Sequence, residues 1–428
     1  MLSKPFFGYA KPRFQYEILS AALPQPKAIA MPDAMTMLLP REMGPQPSTT
    51  LKAGTRVKTG QRLTWDDHPA PAVVATVTGT IRSVTPHLGD YGRKYTAIAI
   101  APESRDEWDD QFGEACKQID RQTLIDFLTG APGAPPLDKL ADPRKPVHTI
   151  VIYGGDTDLL VDTNLYVLKS QTATVNQGIR ALKEIAGVEK IVLAVPRESF
   201  QNFDGHFEAD VLAVSNAYPF GQPLMLFYQL YGKVLDQGQA FEDHGVMFMR
   251  AEAVAAIGKA VADARVPIEK ILTVLDKEGR KHFVSARIGT PVGAILKAAG
   301  ITLNDRDRLI FGGPMTGTAV YSEDQPILPD TDAIMVQDGS RIILTSDYPC
   351  INCGECVRVC PSKMAVNLLI RFLEASQYQE GADLYDLYSC VECGLCSFVC
   401  VSRIPILQYI KLAKFELARA VPAEEENE

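Results

Sequence analysis

No stretch of this chain approaches the roughly 18 consecutive apolar residues that cross a bilayer, so any membrane attachment has to come through a partner or a surface contact. Basic charge is also scarce. Lys and Arg number 43 against 52 Asp and Glu, a formal charge of −9, which argues against a chain built mainly to grip nucleic acid or an anionic surface. The opening residues 1–14 hold neither a continuous hydrophobic segment nor a small-residue cleavage site, so no secretory leader is expected. The 6 histidines stand at 68, 87, 148, 206, 244 and 282 without an H-x3-H pair, so spacing alone gives none of them a metal or catalytic role. Cysteine is almost missing from most of the chain: Cys116 is alone before residue 350 and, in an acidic polar stretch, reads as a non-ligand.

The other eight cysteines are crowded between 350 and 400. They form two copies of one pattern, C-x2-C-x2-C-x3-C: Cys350, Cys353, Cys356 and Cys360, then Cys390, Cys393, Cys396 and Cys400. Thiols grouped at fixed spacings point to a metal site in a reducing compartment rather than to a disulfide scaffold. The run is that of bacterial ferredoxins, in which three close thiolates hold a cubane and the fourth ligand comes from the other motif. Two 4Fe-4S clusters are expected, one on Cys350, Cys353, Cys356 and Cys400, the other on Cys390, Cys393, Cys396 and Cys360. Structural zinc is the competing reading, but it needs only four ligands and leaves four thiols unexplained. Val401 stands where proline usually follows the fourth cysteine; proline is no ligand, so cluster binding survives the change. Gly354 and Gly394 occupy positions where a side chain would crowd the loop. Arg358, Lys363 and Arg403 are candidate positive charges near sulfur, Glu355 and Glu392 negative ones. Electron passage through two cubanes needs no general acid, base or nucleophile, so no catalytic residue is assigned.

At 428 residues, with 46% hydrophobic and 22% charged content, the chain reads as a soluble globular protein of three or four domains. Residues 1–102 alternate with a period near two and carry turn glycines, as in a small β barrel or sandwich. The Leu51–Gln61 turn is similar to those of lipoyl- and biotinyl-type domains, yet no lysine sits at a hairpin tip, so a structural module without a swinging arm is expected. Residues 103–240 read as α/β, with strands at His148–Tyr153 and Lys190–Val195 flanking a helix at Ala173–Ile185. Residues 241–345 read as a β-grasp-like unit: paired strands at Lys270–Leu275 and Arg280–Ala286, then a helix at Val292–Ala299. Residues 346–428 carry the cysteines, helices at Met364–Ala375 and Pro405–Ala420, and a solvated acidic tail, Glu424–Glu428.

Several segments besides the cysteines resemble the RnfC family, the peripheral iron–sulfur subunit of Rnf ion-translocating oxidoreductases. They are Leu51–Gln61, Asn176–Arg180, Tyr218–Gly221, Arg250–Val261, Lys270–Leu275, Ile288–Pro291, Gly312–Gly317 and Ile404–Lys414, and they span nearly the whole chain. The resemblance implies a multidomain α+β protein: a lipoyl-like β domain, an α/β domain similar to the flavin-binding subunit of respiratory complex I, a β-grasp SLBB domain and a helical two-cluster ferredoxin domain. It implies a peripheral place at the cytoplasmic face of the cell membrane and partners among the membrane-embedded and iron–sulfur subunits of such a complex.

That family takes electrons from NADH through FMN, and here the chain departs from its pattern. Where the family has a G-G-A-G-F-P-T loop, this chain has Gly130-Ala-Pro-Gly133-Ala-Pro-Pro136, and three prolines remove backbone donors that a phosphate or flavin cradle requires. The family's acidic E-C-E-P-Y stretch is matched by Asp156-Thr-Asp158-Leu-Leu160. Gly130, Gly133, Asp156 and Asp158 are thus the residues of a degenerate flavin and NADH site, and Gly154-Gly155 reads as a plain strand-ending turn. Electrons are then expected from another protein, a cytochrome or ferredoxin, and NADH oxidation by the chain itself is not expected. The alternatives are an FMN-dependent NADH-oxidising subunit, a soluble flavin and iron–sulfur reductase similar to cobalamin reductases, and a docking subunit whose clusters are structural.

Overall fold

The computed structural model describes residues 13–420 apart from 17, 18, 20–22, 42, 44–47, 49, 66–70, 90, 91, 202–205, 237 and 347. The readings made on residues 1–12 and on the acidic tail lie outside the described residues.

Four parallel strands make the central sheet, in the order Asp210–Val214, Lys190–Pro196, Thr149–Tyr153, Val246–Arg250. Ile150, Val151, Ile152, Leu193, Ala194 and Val195 are all buried, as strands covered on both faces require. The helix Thr172–Glu184 lies between the first two strands in sequence, as expected, and packs on the helix Ala251–Asp263. Their approach is that of backbone on backbone: a Cβ on Gly178 would lie 2.0 Å from the Val254 carbonyl oxygen, and one on Gly258 would lie 2.1 Å from that of Thr174. The strand Val246–Arg250 closes this sheet, so the expected boundary at 240 cuts through the unit. The apolar faces of residues 246–261 are buried here and not in the unit that follows.

The second sheet has six strands, ordered Lys27–Ala28, Lys281–Arg287, Glu269–Leu275, Ala333–Gln337, Arg308–Phe311, Thr318–Val320. Glu269–Leu275 and Lys281–Arg287 form the expected pair, and the pairing is antiparallel, with Thr273 opposite Phe283. The helix Val292–Ala299 forms at the expected residues and buries Val292, Ile295 and Leu296 against Leu272, Val274 and Val284. Lys27–Ala28 joins this sheet in parallel, and Gln15 bridges to Ala217, so these early residues belong to other units and the expected 1–102 module begins only at the strand Met35–Leu39. That module is an antiparallel sheet, Met35–Leu39, Lys94–Pro102, Gly79–Leu88, Arg56–Val57, closed by the hairpin Arg62–Thr64 and Ala72–Val74 around Met35, Met37, Ile81, Ile98 and Ile100.

The cysteine region is helical: Glu355–Val359, Val366–Glu374, Tyr378–Tyr385, Leu395–Val399 and Ile406–Ala420. Two of these match the expected helices to within two residues, and Leu369, Ile370, Leu373, Ile410 and Ala413 form their shared core. Among the described residues no helix is long and apolar enough to cross a membrane.

Candidate metal centres

The internal repeat of the sequence is a repeat of backbone. Asn352 and Glu392 both have φ of 56°, Gly354 and Gly394 both 72°, and Lys363 and Arg403 have 55° and 56°. Each left-handed residue turns the chain inward, and each glycine opens a helix of five residues, Glu355–Val359 or Leu395–Val399, that ends at the fourth cysteine. At Gly394 the space is also taken: a Cβ would stand 2.3 Å from the Met315 carbonyl oxygen.

Folding the two copies together produces two small cavities. Cys350, Cys353, Cys356 and Cys400 line the first; Cys360, Cys390, Cys393 and Cys396 line the second. The fourth cysteine of each motif therefore lines the cavity of the other. Among the described residues no three His, Cys, Asp or Glu side chains converge tightly enough for one metal ion. Four thiols set around one void suit a polynuclear cluster. Backbone donors reach the sulfurs: the Glu392 N–H points to Cys390 Sγ and the Ile404 N–H to Cys400 Sγ, both at 3.4 Å.

The quartets differ in burial. Cys353 is exposed, whereas Cys393 and Cys396 are buried. Burial pushes the thiol of Cys356 up to about 11 and that of Cys393 to about 12, so a metal must displace protons there on binding. Cys390 is also raised by burial, to about 11, with Lys414 opposing the rise. Lys414 donates to Glu392 at 2.8 Å and to the Cys390 carbonyl at 3.0 Å. Sequence reasoning named Glu392 but missed Lys414. The available signal was its position on the helix three residues after Lys411, which reaches the Thr316 carbonyl from the same face. Arg358 pairs with Glu355 at 2.6 Å and donates to the Cys353 carbonyl at 2.9 Å. Lys363 and Arg403 serve the fold through their backbone torsions, and their side chains are exposed.

Tyr218 joins the second quartet to the parallel-sheet unit, donating its hydroxyl to the Cys393 carbonyl at 2.6 Å. Its ring meets Tyr16 edge-on at 5.5 Å, and Leu159, Val391 and Leu395 complete the contact. Cys116 packs at the edge of the parallel-sheet core, far in sequence from any other thiol.

Of the residues expected for a nucleotide, Asp156 and Gly133 lie where the strand order reverses, beyond the carboxyl ends of Thr149–Tyr153 and Val246–Arg250, the place where open α/β sheets bind ligands. Here that place is filled by the chain itself. Gly133, at φ 81°, rests against the Ala251–Asp263 helix so closely that a Cβ would meet the Ala253 nitrogen at 2.4 Å. From 131 to 137 every backbone donor is used or absent. Ala131 donates to Leu128, Gly133 to Pro329, Ala134 to Ala131 and Leu137 to Pro135, while Pro132, Pro135 and Pro136 have none. Asp156 accepts from the backbone of Asn164 and Leu165 and from the Asn164 side chain, anchoring the start of the helix Thr163–Ser170; burial, then Asp332, lifts its carboxyl to about 7. Asn164 in turn accepts from the Glu252 N–H, so Asp156, acting through Asn164, and Gly133, packed on Ala253, both meet the first turn of the helix Ala251–Asp263. Asp158 points elsewhere, accepting from the Met315 and Thr316 N–H groups and the Thr316 hydroxyl. Gly130 touches neither acid, and Gly154 ends its strand by donating to Ala194.

The 4Fe-4S dicluster domain family matches residues 348–404. Over 94% of its length the chain is 28% identical to the RnfC protein of the ion-translocating oxidoreductase complex of Yersinia pestis bv. Antiqua, covering 68% of that protein. The proteins of the same name from Edwardsiella ictaluri and Pectobacterium carotovorum are 28% and 25% identical over 91% of the chain, which covers 51% and 55% of them. The chain thus spans between about half and two thirds of the length of these relatives. Among solved structures, a chain of the NAD+-reducing [NiFe]-hydrogenase in the air-oxidized state superposes with a TM-score of 0.43 at 16% identity, over 70% of this chain and 61% of that one.

Proposed function

We infer that this homologue of the RnfC proteins of ion-translocating oxidoreductase complexes is an electron-transfer subunit of an Rnf-type complex, holding two 4Fe-4S clusters. The observation that carries the reading is the exchange of fourth cysteines: Cys350, Cys353, Cys356 and Cys400 around one cavity, Cys390, Cys393, Cys396 and Cys360 around the other. A bound cubane supplies a centre that takes up and releases one electron. The chain's own part is to grip it with four thiolates, exclude water by burial, and place N–H donors, Lys414 and Glu392 near sulfur so that charge sets the potential.

Within this reading the β module from Met35 is lipoyl-like, the parallel-sheet unit is the flavin-subunit-like domain running to about residue 265, and the six-stranded sheet is the SLBB unit. The flavin and NADH site around Gly130, Gly133, Asp156 and Asp158 has been lost. The support is that its loop has no free donor from 131 to 137 and that both carboxylates are engaged by backbone N–H groups. The residues present do not fit FMN. The clusters would then exchange electrons with protein partners, the membrane-embedded and iron–sulfur subunits of the complex and a carrier such as a ferredoxin or cytochrome, from the cytoplasmic face.

Anaerobically purified protein tests both halves. Iron and acid-labile sulfide in equal amounts, with dithionite-reducible paramagnetic signals from two centres, is the expected result; zinc without sulfide sinks the cluster assignment. Stoichiometric retention of FMN, or bleaching of the clusters by NADH, sinks the loss of the flavin site.

A further inference from the structure

The two quartets stand differently toward solvent. The second is roofed by Tyr218, Val391 and Leu395, whereas the first includes the exposed Cys353. Beside the first quartet a groove opens between the six-stranded sheet with its trailing segment 341–345 and the second cysteine motif. The first cavity shares Cys400, Val401 and Ile404 with the groove and the second shares Gly394 and Leu407, and Cys400 is the one cysteine of the eight that lines the groove, so a cluster ligand stands in the wall only on the side of the first quartet.

The groove is apolar and exposed. Ile343 is 73% exposed, Leu344 70%, Phe398 53% and Val401 46%, a contiguous set of the kind that marks an interaction site, unlike singly scattered apolar residues. Its charge runs against that of the molecule. Lys277 is paired with Asp307, Arg341 with Asp338, and Asp276 with Arg280 and His282. Arg308 and Arg403, both exposed, have no acidic partner among the described residues, so the lining is positive in a chain of net charge −9.

We propose that this groove is the landing surface of an acidic one-electron carrier protein, which exchanges electrons with the quartet Cys350, Cys353, Cys356 and Cys400 across the Cys400–Val401 wall. The inference rests on the electron-transfer reading above and adds where the partner sits and which quartet it meets. Electron transfer slows steeply with separation, and here a ligand-bearing wall is also the floor of a positive, apolar groove. A cluster held by these four cysteines would supply a one-electron centre there, and its exchange with the carrier's centre would form or break no bond and move no proton. Apolar residues at the centre supply the contact, while Arg308 and Arg403 draw in and orient an acidic rim.

The test uses the full chain, shown beforehand to contain iron and sulfide, and an oxidised plant-type [2Fe-2S] ferredoxin as an acidic probe. Binding is measured by interferometry at about 0.05 M and about 0.5 M salt. The expected result is a dissociation constant that weakens about ten-fold with salt, and about ten-fold at low salt in Arg308→Glu, with Lys117→Glu outside the groove unchanged. Leu344→Ser, on an exposed segment away from the cysteines, is a second variant and weakens binding at both salt concentrations. Each variant is checked for unchanged iron content. Absence of binding, or binding indifferent to salt and to both groove variants on cluster-loaded protein, overturns the docking surface and leaves the cluster assignment standing. Protein that holds no iron and sulfide overturns the electron-transfer reading and this surface together.

Discussion

Cys360 closes the first motif in sequence and lines the second cavity in space, so its substitution separates the exchanged arrangement from two self-contained sites. Cys360→Ala is expected to lose about half the iron and sulfide, and its remaining paramagnetic spectrum should match that of Cys393→Ala and differ from that of Cys353→Ala. A match to Cys353→Ala would mean that each motif binds its own cluster. Asp156 makes a residue-scale statement of a different kind. Its carboxyl is raised from 3.8 to about 7, chiefly by burial. A raised acid contributes stability that is full below about pH 4 and is lost as pH rises through about 7. Urea unfolding midpoints should therefore fall across that window by an amount worth at most a few kcal/mol. Asp156→Asn should remove this part of the slope; an unchanged pH profile would show that the carboxylate is better compensated by Asn164 and Leu165 than its burial implies.

Between helices, the most extensive contact among the described residues is that of Thr172–Glu184 and Ala251–Asp263, which cross at Gly178 and Gly258. Gly258→Ala would place a methyl group 2.1 Å from the Thr174 carbonyl and 2.5 Å from the Gly178 nitrogen. Helices cannot separate without opening the core beneath, so a cost of about 1–3 kcal/mol is expected, read as a lowered melting temperature. Gly130→Ala, whose methyl group would meet nothing within 4 Å, should leave the melting temperature where it is. Equal melting in both variants would show that the helix pair has slack. The same contact explains why the segments Asn176–Arg180 and Arg250–Val261 carry a family resemblance without touching either cysteine quartet: they are the two sides of one crossing. The buried pair of Lys270 with Glu252, at 2.7 Å, then ties the second of these helices to the six-stranded sheet.

For the molecule as a whole, the cysteine region is a small set of short helices whose core includes Cys356 and Cys396 and surrounds two cavities. Such a unit draws its folding free energy from the group it binds, whereas the parallel sheet has an apolar core of its own. Removing iron with an oxidant and a chelator should therefore speed amide exchange throughout 350–416 while strands Thr149–Tyr153 and Lys190–Pro196 stay protected. Retained protection at 350–416 would show that the helices hold without metal. The pairing of strands at 269–287, the helices at 292–299 and 406–420 and the lack of N–H donors at Pro132, Pro135 and Pro136 were all legible in the sequence, because periodicity and missing N–H donors are properties of neighbouring residues. Assigning residues 246–261 to the parallel sheet, sending Gln15 and Lys27–Ala28 to other units, placing Lys414 beside Cys390 and leaving the first quartet next to an open groove depended on contacts between residues far apart in the chain. Local chemistry determines what a segment is able to bind; which surface it shows to solvent is decided only when the other units have packed against it.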